Sequence, residues 1–237
     1  MENVKKTYTH FHNIKHSNHN YPTEWVIRTI LGSYPKLVID KSSYNGGNVL
    51  DLGFGDGRNI QLLFNCGLNI FGVEITQQIC DSVGEMLRTK NISADLKVGS
   101  NNKIPFPDNF FDYILASSSC YYVDGHTSFS DNLFEINRVL KPNGYLIANF
   151  PLFSDIKEIE ESFILKDCHF TSDGHVLITN DIYGIRNGYK FKAFKNEAEL
   201  MEEFQPFFEE ICTSRLFENY FGVQINALIS VAKKKNE

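Results

Sequence analysis

The sequence predicts an α/β fold: a doubly wound, mainly parallel sheet with helices on both faces. Strand patterns alternate with helical patterns between residues 48 and 150. Each strand is a near-continuous apolar run, which is typical of parallel strands that are covered on both faces. A glycine-rich turn with Gly53, Gly55 and Gly57 follows the first strand directly. Such a turn before a helix leaves backbone N–H groups free for a ligand.

Five strands are predicted in this region, at residues 49–52, 69–74, 95–98, 111–116 and 145–150. Helices are predicted at 59–65, 77–90 and 129–140, and the proline and glycine at 141–144 are expected to end the last one. Two closing strands, near 211–217 and 223–232, are expected to pair as a hairpin at the sheet edge. The result is a seven-stranded sheet with an antiparallel strand at its C-terminal edge.

The flanking segments are expected to belong to the same domain. Residues 1–45 are predicted to form an N-terminal lid or helical segment, with a helix at 23–37, and residues 46–150 the ligand-binding core. Residues 151–195 are interpreted as an insertion over the active site, with a helix at 154–165 and strands at 175–183 and 189–194. Residues 196–237 add a closing helix, which opens with a capping box from Asn196 to Glu199, and the closing strands.

Composition narrows the class of protein. The 237 residues are 42% hydrophobic, enough for the core of one large domain, and the net charge of −6 argues against a nucleic-acid partner. The five cysteines are scattered without metal-ligand spacing, and no apolar run reaches membrane-spanning length. We therefore expect a cytoplasmic protein without a metal site. The Lys233–Lys235 run is interpreted as a solvated tail.

The spacing of the glycines in this turn indicates which ligand it binds. A dinucleotide-binding turn reads G-x-G-x-x-G, but Arg58 stands where its third glycine would fall. Asp51 precedes the turn at the strand end, where a carboxylate would repel a pyrophosphate and attract a cation. S-adenosylmethionine carries a sulfonium and an ammonium and has no phosphate. The charges therefore favour S-adenosylmethionine over NAD.

The stretch from Asp51 to Gly57 resembles the first motif of class I S-adenosylmethionine-dependent methyltransferases, of the small-molecule, type 11 kind. The resemblance extends from about 48 to 150 and includes Glu135 to Gly144 before the fifth strand. It implies a Rossmann-like fold, S-adenosylmethionine as cofactor, and Glu74 as the residue that binds the ribose hydroxyls. The implied cofactor-binding residues are Asp51, Gly53, Gly55, Gly57, Glu74, Ile75, Ser100, Asn101, Ala116 and Ser117.

In this assignment Ile75 borders the adenine, and Ala116 and Ser117 meet the methionine end. The family commonly has an acidic residue that accepts from the adenine amino group where Ser100 stands. Ser100 or Asn101 would supply the acceptor oxygen instead.

The acceptor is less well defined. Ser117-Ser118-Ser119-Cys120 replaces the Asn-Pro-Pro-Tyr type of motif, which in the family marks amino groups on bases or glutamine. This favours a small-molecule acceptor, a metabolite or sugar-like compound, methylated on O or N. The side chains that could act as a general base are those of His12, His16, His19, Tyr21, Tyr121 and Tyr122. Of these, we predict His19, Tyr21 and Tyr122 as the candidate catalytic residues.

Several alternatives stay open. In the insertion, Tyr183, Arg186, Tyr189 and Lys190 either shape the acceptor pocket or belong to a remote surface hairpin. The histidine-rich N-terminus is either a lid or a surface-draped tail. Competing functions are a nucleotide-binding oxidoreductase, a non-catalytic S-adenosylmethionine-binding protein, and an RNA or protein methyltransferase. The acceptor, the atom methylated and the oligomeric state are left open.

Overall fold

The structure is a computed structural model that describes residues 21–125 and 127–236. The predictions for His12, His16 and His19 therefore lie outside the described residues. The strands are β1 Asn48–Leu52, β2 Asn69–Glu74, β3 Ala94–Val98, β4 Phe111–Ala116, β5 Tyr122–Val123, β6 Leu140–Pro151, β7 Leu165–Phe170, β8 Val176–Asp181, β9 Lys190–Phe191, β10 Phe208–Tyr220 and β11 Val223–Lys234. The helices are α1 Glu24–Leu31, α2 Ile60–Asn65, α3 Gln77–Thr89, α4 Phe129–Val139, α5 Ile156–Phe163 and α6 Glu197–Phe204.

The predicted main sheet is confirmed. It has seven strands in the order β10-β11-β6-β4-β1-β2-β3. Strands β3, β2, β1, β4 and β6 pair in parallel, whereas β11 pairs antiparallel with both β6 and β10. The closing hairpin thus forms one edge, with β10 outermost and the antiparallel β11 one position in from it. This order reverses between β1 and β4, and ligands of doubly wound sheets bind at such a reversal.

Helices cover both faces of this sheet, as predicted. On one face α4 and α6 bury Phe129, Leu133 and Phe204 in a core that includes Phe111 and Phe150 of the sheet. On the other face α1, α2 and α3 bury a second cluster, represented by Trp25, Val26, Ile60, Leu63, Ile79, Val83 and Leu87. Strands β1, β2 and β4 are therefore shielded from water on both faces, which explains their largely apolar sequences, whereas the edge strand β3 has no buried residue.

The insertion forms a second, four-stranded sheet in the order β5-β9-β8-β7, with every pair antiparallel. The prediction of two strands here was incomplete. Strand β7 buries only Leu165 and Cys168 between polar residues, so its sequence lacks a clear apolar pattern. Strand β5 has only two residues and joins the insertion to the loop after β4.

Two predicted boundaries, the end of α1 and the start of β6, are corrected. Helix α1 ends at Leu31 rather than at 37, because Gly32 leaves the helical conformation and its N–H closes the last turn on the Arg28 carbonyl. Strand β6 begins at Leu140 rather than at 145, and its pairing with β4 shifts register next to Phe111. Asn143, with a φ of 64°, supplies the left-handed turn there.

The interpretation of Lys233–Lys235 as a solvated tail is wrong for Lys234. Its side chain is buried, and Nζ donates to Asn109 Oδ1 at 2.9 Å, the Asn137 carbonyl at 2.6 Å and the Leu140 carbonyl at 2.7 Å. The end of β11 therefore fastens the C-terminus of α4 to the sheet. No helix within residues 21–125 and 127–236 has the length and apolarity to cross a membrane.

Candidate functional site

A cavity of about 440 Å³ opens at the carboxyl ends of β1, β2 and β4, where the strand order reverses. This volume lies within the range of small-molecule sites, roughly 300–1,000 Å³. The loops after β1, β2, β3 and β4 supply one wall, and the insertion supplies the other. The lining residues used below are Gly53, Gly55, Asp56, Arg58, Glu74, Ile75, Ser100, Asn101, Ser117, Ser119, Tyr122, Asp124, Arg186 and Tyr189.

The glycine turn lies against the loop that follows β4. Gly53 has a φ of 70°, and a Cβ added to it would stand 2.5 Å from the Ser119 Cβ. The Gly53 N–H donates to the Val73 carbonyl at 2.8 Å, and Ser119 Oγ donates to the Leu52 carbonyl. Only glycine fits this position, since both the backbone conformation and the contact exclude a side chain.

Gly57, at the far end of the turn, does not line the cavity. Its φ is 72°, and an added Cβ would meet Val83 Cγ1 at 2.7 Å. Its N–H closes the turn on the Phe54 carbonyl at 2.9 Å. This glycine therefore lets the turn pack closely against α3.

Glu74, the last residue of β2, bridges the glycine turn and its own neighbour. Its Oε1 accepts from the Gly55 N–H at 3.1 Å, and Oε2 accepts from the Ile75 N–H at 2.7 Å. The side chain is buried yet lines the cavity. A carboxylate fixed beside the glycine turn repels phosphate groups and presents acceptor oxygens to hydroxyls.

Asp51 lies behind this wall and is absent from the cavity lining. The residue is almost fully buried, and Oδ2 has no hydrogen-bond partner among the described residues. Burial, together with the nearby charges of Glu74 and Asp56, raises the pKa of Asp51 to about 8. Asp51 thus lies behind the cavity lining, and its contact with a ligand stays a prediction.

Asp56 and Arg58 form an ion pair in the cavity wall. Arg58 Nε donates to Asp56 Oδ1 at 2.9 Å, and this bonding raises the pKa of Arg58 above its usual value. The start of α1 is fastened beside them, because the Thr23 N–H donates to Asn59 Oδ1 at 3.1 Å. Sequence reasoning missed Asp56, although its place between two glycines of the turn was a usable signal.

Two asparagines hold the loop that contains Tyr122. Asn101 Nδ2 donates to the carbonyls of Ser119 and Tyr122, at 3.0 and 2.9 Å. Asn132, from α4, donates through Nδ2 to the carbonyls of Cys120 and Tyr122, at 3.0 and 2.8 Å. The Tyr122 carbonyl therefore receives two hydrogen bonds. Asn132 was missed because nothing in the sequence connects it with this loop.

The insertion completes the cavity opposite the glycine turn. Arg186 and Tyr189 line it, and the ring centroids of Tyr122 and Tyr189 are 5.7 Å apart. The Tyr189 hydroxyl is buried, and no group in the described part of the chain forms a hydrogen bond with it. Arg186 Nη2 donates to Asp181 Oδ1 at 2.7 Å and to the Phe163 carbonyl at 2.5 Å.

Other predicted residues lie elsewhere. Tyr21 is 75% exposed, and Ala116 is fully buried; neither lines the cavity. Tyr121 packs in the core beside Tyr122, and Tyr183 is exposed to solvent. Lys190 binds Asp173 instead, at 3.0 Å. Neighbouring side chains of a strand or turn diverge, and the sequence alone did not specify which of each pair faces inward.

The structure brings together seven of the ten residues predicted for the cofactor. Those that line the cavity are Gly53, Gly55, Glu74, Ile75, Ser100, Asn101 and Ser117. Asp51, Gly57 and Ala116 lie outside the lining. Within the described part of the chain, no three His, Cys, Asp or Glu side chains are grouped as a metal ion would require.

The fold and cavity define a Rossmann-like domain with a small-molecule site at the reversal of its strand order. Residues 50–148 match the family described as Methyltransferase domain. Over this segment the chain is similar to class I S-adenosylmethionine-dependent methyltransferases. The matched segment covers the glycine turn, Glu74 and the loop after β4.

Known relatives agree with this assignment. The chain is 31% identical over 108 residues to an uncharacterised methyltransferase of Schizosaccharomyces pombe, across 41% of this chain and 37% of the relative. It is 32% identical over 104 residues to a demethylmenaquinone methyltransferase of Tropheryma whipplei, across 44% of this chain and 41% of the relative. The matches thus span less than half the length of these curated relatives.

A crystal structure of an S-adenosylmethionine-dependent methyltransferase from Methanosarcina mazei has the same fold. Its TM-score against this chain is 0.65, at 21% sequence identity, with 86% of this chain and 99% of that chain covered. At this identity the likeness concerns the fold alone.

Proposed function

We propose that this protein transfers a methyl group from S-adenosylmethionine to an O or N atom of a small-molecule acceptor. The observation that carries the proposal is the position of Glu74. Its carboxylate lies in the cavity wall and is oriented by the N–H groups of Gly55 and Ile75. A fixed carboxylate suits a ribose diol and a cationic ligand, and it disfavours a pyrophosphate.

The cofactor would extend along the first wall of the cavity. Glu74 would accept from the ribose hydroxyls, and Ile75 would border the adenine. The Asn101 amide nitrogen is already bonded to two carbonyls, so its oxygen is the atom that would accept from the adenine amino group. The backbone at Gly53, Gly55 and Ser117 would border the methionine end. Gly57, Ala116 and Asp51 would contribute from behind the lining, the first two through packing and the third through its charge when it is ionised.

The protein's contribution to catalysis would be mainly positioning. S-adenosylmethionine, when bound, supplies an activated methyl group on a sulfonium. The loop fastened by Asn101 and Asn132 would hold Tyr122 against the acceptor and exclude water. Burial raises the pKa of Tyr122, so its hydroxyl stays protonated at neutral pH and would donate a hydrogen bond rather than act as a base. His19 and Tyr21 remain predicted candidates for a base.

The net charge of the chain and the name of one relative favour a small molecule, rather than RNA or protein, as the methyl acceptor. A net charge of −6 opposes binding to phosphates, and one relative is named for demethylmenaquinone, a small molecule. We also propose a cytoplasmic location, which is supported by five free cysteines.

The test uses S-adenosylmethionine with an isotopically labelled methyl group. The protein is incubated with a small-molecule extract, with total RNA and with extracted proteins in separate reactions. We expect label in a small molecule, and thermal stabilisation by S-adenosylmethionine but not by NADH. Label confined to RNA or protein would contradict the small-molecule acceptor. The absence of stabilisation at saturating S-adenosylmethionine would contradict the proposed function itself, and stabilisation without label in any fraction would favour a non-catalytic binding protein.

A further inference from the structure

The wall opposite the glycine turn carries groups that the cofactor assignment does not use. Tyr122, Arg186 and Tyr189 come from two different segments, and the four-stranded insertion sheet holds these segments together through the β5–β9 pairing. Their rings and charge face the same cavity as Glu74. These three side chains are therefore the ones from which the chemical class of the methyl acceptor can be inferred.

The Tyr189 hydroxyl is a donor without a partner. It is buried and makes no hydrogen bond within the described residues, although its ring lines the cavity. Burial, with smaller contributions from the charges of Tyr122, Glu74 and Asp124, raises the pKa of Tyr189 above its usual value, so the proton stays on the oxygen. A buried hydroxyl without a partner costs stability, which a ligand oxygen can recover by accepting from it.

Arg186 is held rigidly at the same wall. Its Nη2 is occupied by Asp181 and by the Phe163 carbonyl, and its guanidinium lies over the Phe163 ring at 5.7 Å. Asp181 is itself fixed, because Oδ2 accepts from the backbone N–H groups of Ile185 and Arg186 at 2.9 and 3.0 Å. An arginine fixed in this way presents its other N–H donors in a set direction, as carboxylate or phenolate recognition requires.

The carboxylates of the cavity wall are largely engaged elsewhere. Asp56 is paired with Arg58, and Glu74 accepts from two backbone N–H groups. Asp124 lines the cavity but is exposed, so water screens its charge. Among the residues that line the wall opposite the glycine turn, Arg186 and Tyr189 therefore carry the strongest hydrogen-bond donors.

We propose that the acceptor is a planar aromatic molecule with an ionised oxygen group, whose ring packs on Tyr122 and Tyr189 and whose oxygen accepts from Arg186 and Tyr189. This inference rests on the proposed function and names its substrate class. The two ring centroids, 5.7 Å apart, form a corner that a flat ring can contact on two sides. Carboxylate and phenolate share the required chemistry.

Binding of small probes by ligand-observed NMR tests the proposal on the full chain saturated with S-adenosylhomocysteine. Benzoate is compared with benzamide and with benzylamine, and 4-nitrophenol, ionised in mildly alkaline buffer, with nitrobenzene. These arms distinguish a carboxylate from a phenolate. Cyclohexanecarboxylate tests the need for a flat ring. We expect at least one aromatic anion to bind about tenfold more tightly than its neutral partner and than benzylamine, a difference of about 1.4 kcal/mol.

Amino-acid substitutions test which residues cause the preference for an aromatic anion over its neutral partner. Arg186→Gln should reduce the preference for the anion about tenfold and leave the affinity for S-adenosylhomocysteine unchanged. Because this change leaves the buried Asp181 without its counter-charge, Arg186→Gln combined with Asp181→Asn removes the ion pair as a whole and protects the fold. Tyr189→Phe should weaken aromatic anions only, and Arg215→Gln on the edge strand β10 is the matched control.

Equal binding of anions and neutral partners, tighter binding of benzylamine, or a preference that survives in the double variant would each overturn the inference. The titrations are repeated without S-adenosylhomocysteine. A protein that fails to bind S-adenosylhomocysteine contradicts the proposed function, while the probe preference still decides the acceptor class separately.

Discussion

Glu74 Oε1 accepts a hydrogen bond from the Gly55 N–H at 3.1 Å. This single contact joins the end of β2 to the glycine turn after β1, two segments that lie 19 residues apart in the chain. It fixes one carboxylate oxygen and holds the turn in place before any ligand binds. A side chain oriented in this way loses little conformational entropy on binding, which favours affinity.

Replacement of Glu74 by alanine should weaken the binding of S-adenosylhomocysteine at least about tenfold, because hydrogen bonds to a charged group contribute roughly 1.5–3 kcal/mol. Isothermal titration calorimetry measures the change. Glu85→Ala, an exposed glutamate on α3, is the matched control and should leave affinity unchanged. Unaltered affinity in a folded Glu74→Ala protein would refute the ribose assignment.

Gly53→Ala should destabilise the fold more than Gly174→Ala. Both glycines have positive φ angles, 70° and 78°, so both substitutions carry a backbone cost of roughly 1–2 kcal/mol. Gly174 has no atom within 4 Å of an added Cβ, whereas at Gly53 the Ser119 Cβ stands 2.5 Å away. Urea unfolding of both variants should therefore show an additional loss of roughly 1–3 kcal/mol at Gly53.

The contact can be tested separately from the backbone strain. Ser119→Gly combined with Gly53→Ala removes the clash and should recover part of the additional loss. If the two single glycine variants are equally stable, the close approach of the loops after β1 and β4 is wrong.

Lys234→Met should destabilise the protein by about 1–3 kcal/mol, since it leaves Asn109 Oδ1 and the carbonyls of Asn137 and Leu140 without their donor. Chemical denaturation gives the value. Lys235→Met is the control, because the Lys235 side chain makes no hydrogen bond within the described residues. Equal stability of the two variants would show that Lys234 does not fasten α4 to the sheet.

The centre of the main sheet could be predicted because strands β1, β2 and β4 are mostly buried and therefore largely apolar, unlike the edge strands β3 and β10. The residues expected at the site came instead from the resemblance to class I methyltransferases. Glu74 and Ser117 stand at or just after strand ends, and all parallel strands deliver their carboxyl ends to one edge. The positions of Gly53 and Gly55 followed from the turn that a strand-to-helix connection requires.

The second wall could not be predicted in the same detail. Strand β7 alternates irregularly and buries only two residues, so neither its presence nor its register is visible in the sequence. Tyr183, Arg186 and Tyr189 lie in the turn between β8 and β9, where contacts such as that of Arg186 with Asp181 position the side chains, and no repeating pattern predicts which of them line the cavity. The bonds of Asn132 and Lys234 join segments 10 to 125 residues apart, which local patterns do not encode.

Asp51 should make stability depend on pH. Its pKa is about 8 in the native state against 3.8 for an ordinary aspartate, so the native state binds the proton more tightly than the unfolded chain. The resulting stabilisation is complete below about pH 4 and is lost as the pH rises through about 8. Asp51→Asn has no such proton to lose. Urea unfolding across this range should show the variant gaining stability relative to the natural protein, while exposed Asp81→Asn follows the natural protein.

Ionisation of Asp51 should also change the relative affinities for S-adenosylmethionine and S-adenosylhomocysteine. An ionised Asp51 attracts the sulfonium, which S-adenosylhomocysteine lacks, because a charge in a low-dielectric interior acts over several ångströms. Calorimetric affinity for S-adenosylmethionine should therefore rise more steeply between about pH 6 and about pH 9 than affinity for S-adenosylhomocysteine. In Asp51→Asn the two affinities should change in parallel. Parallel changes in the natural protein would mean that Asp51 does not sense the sulfonium.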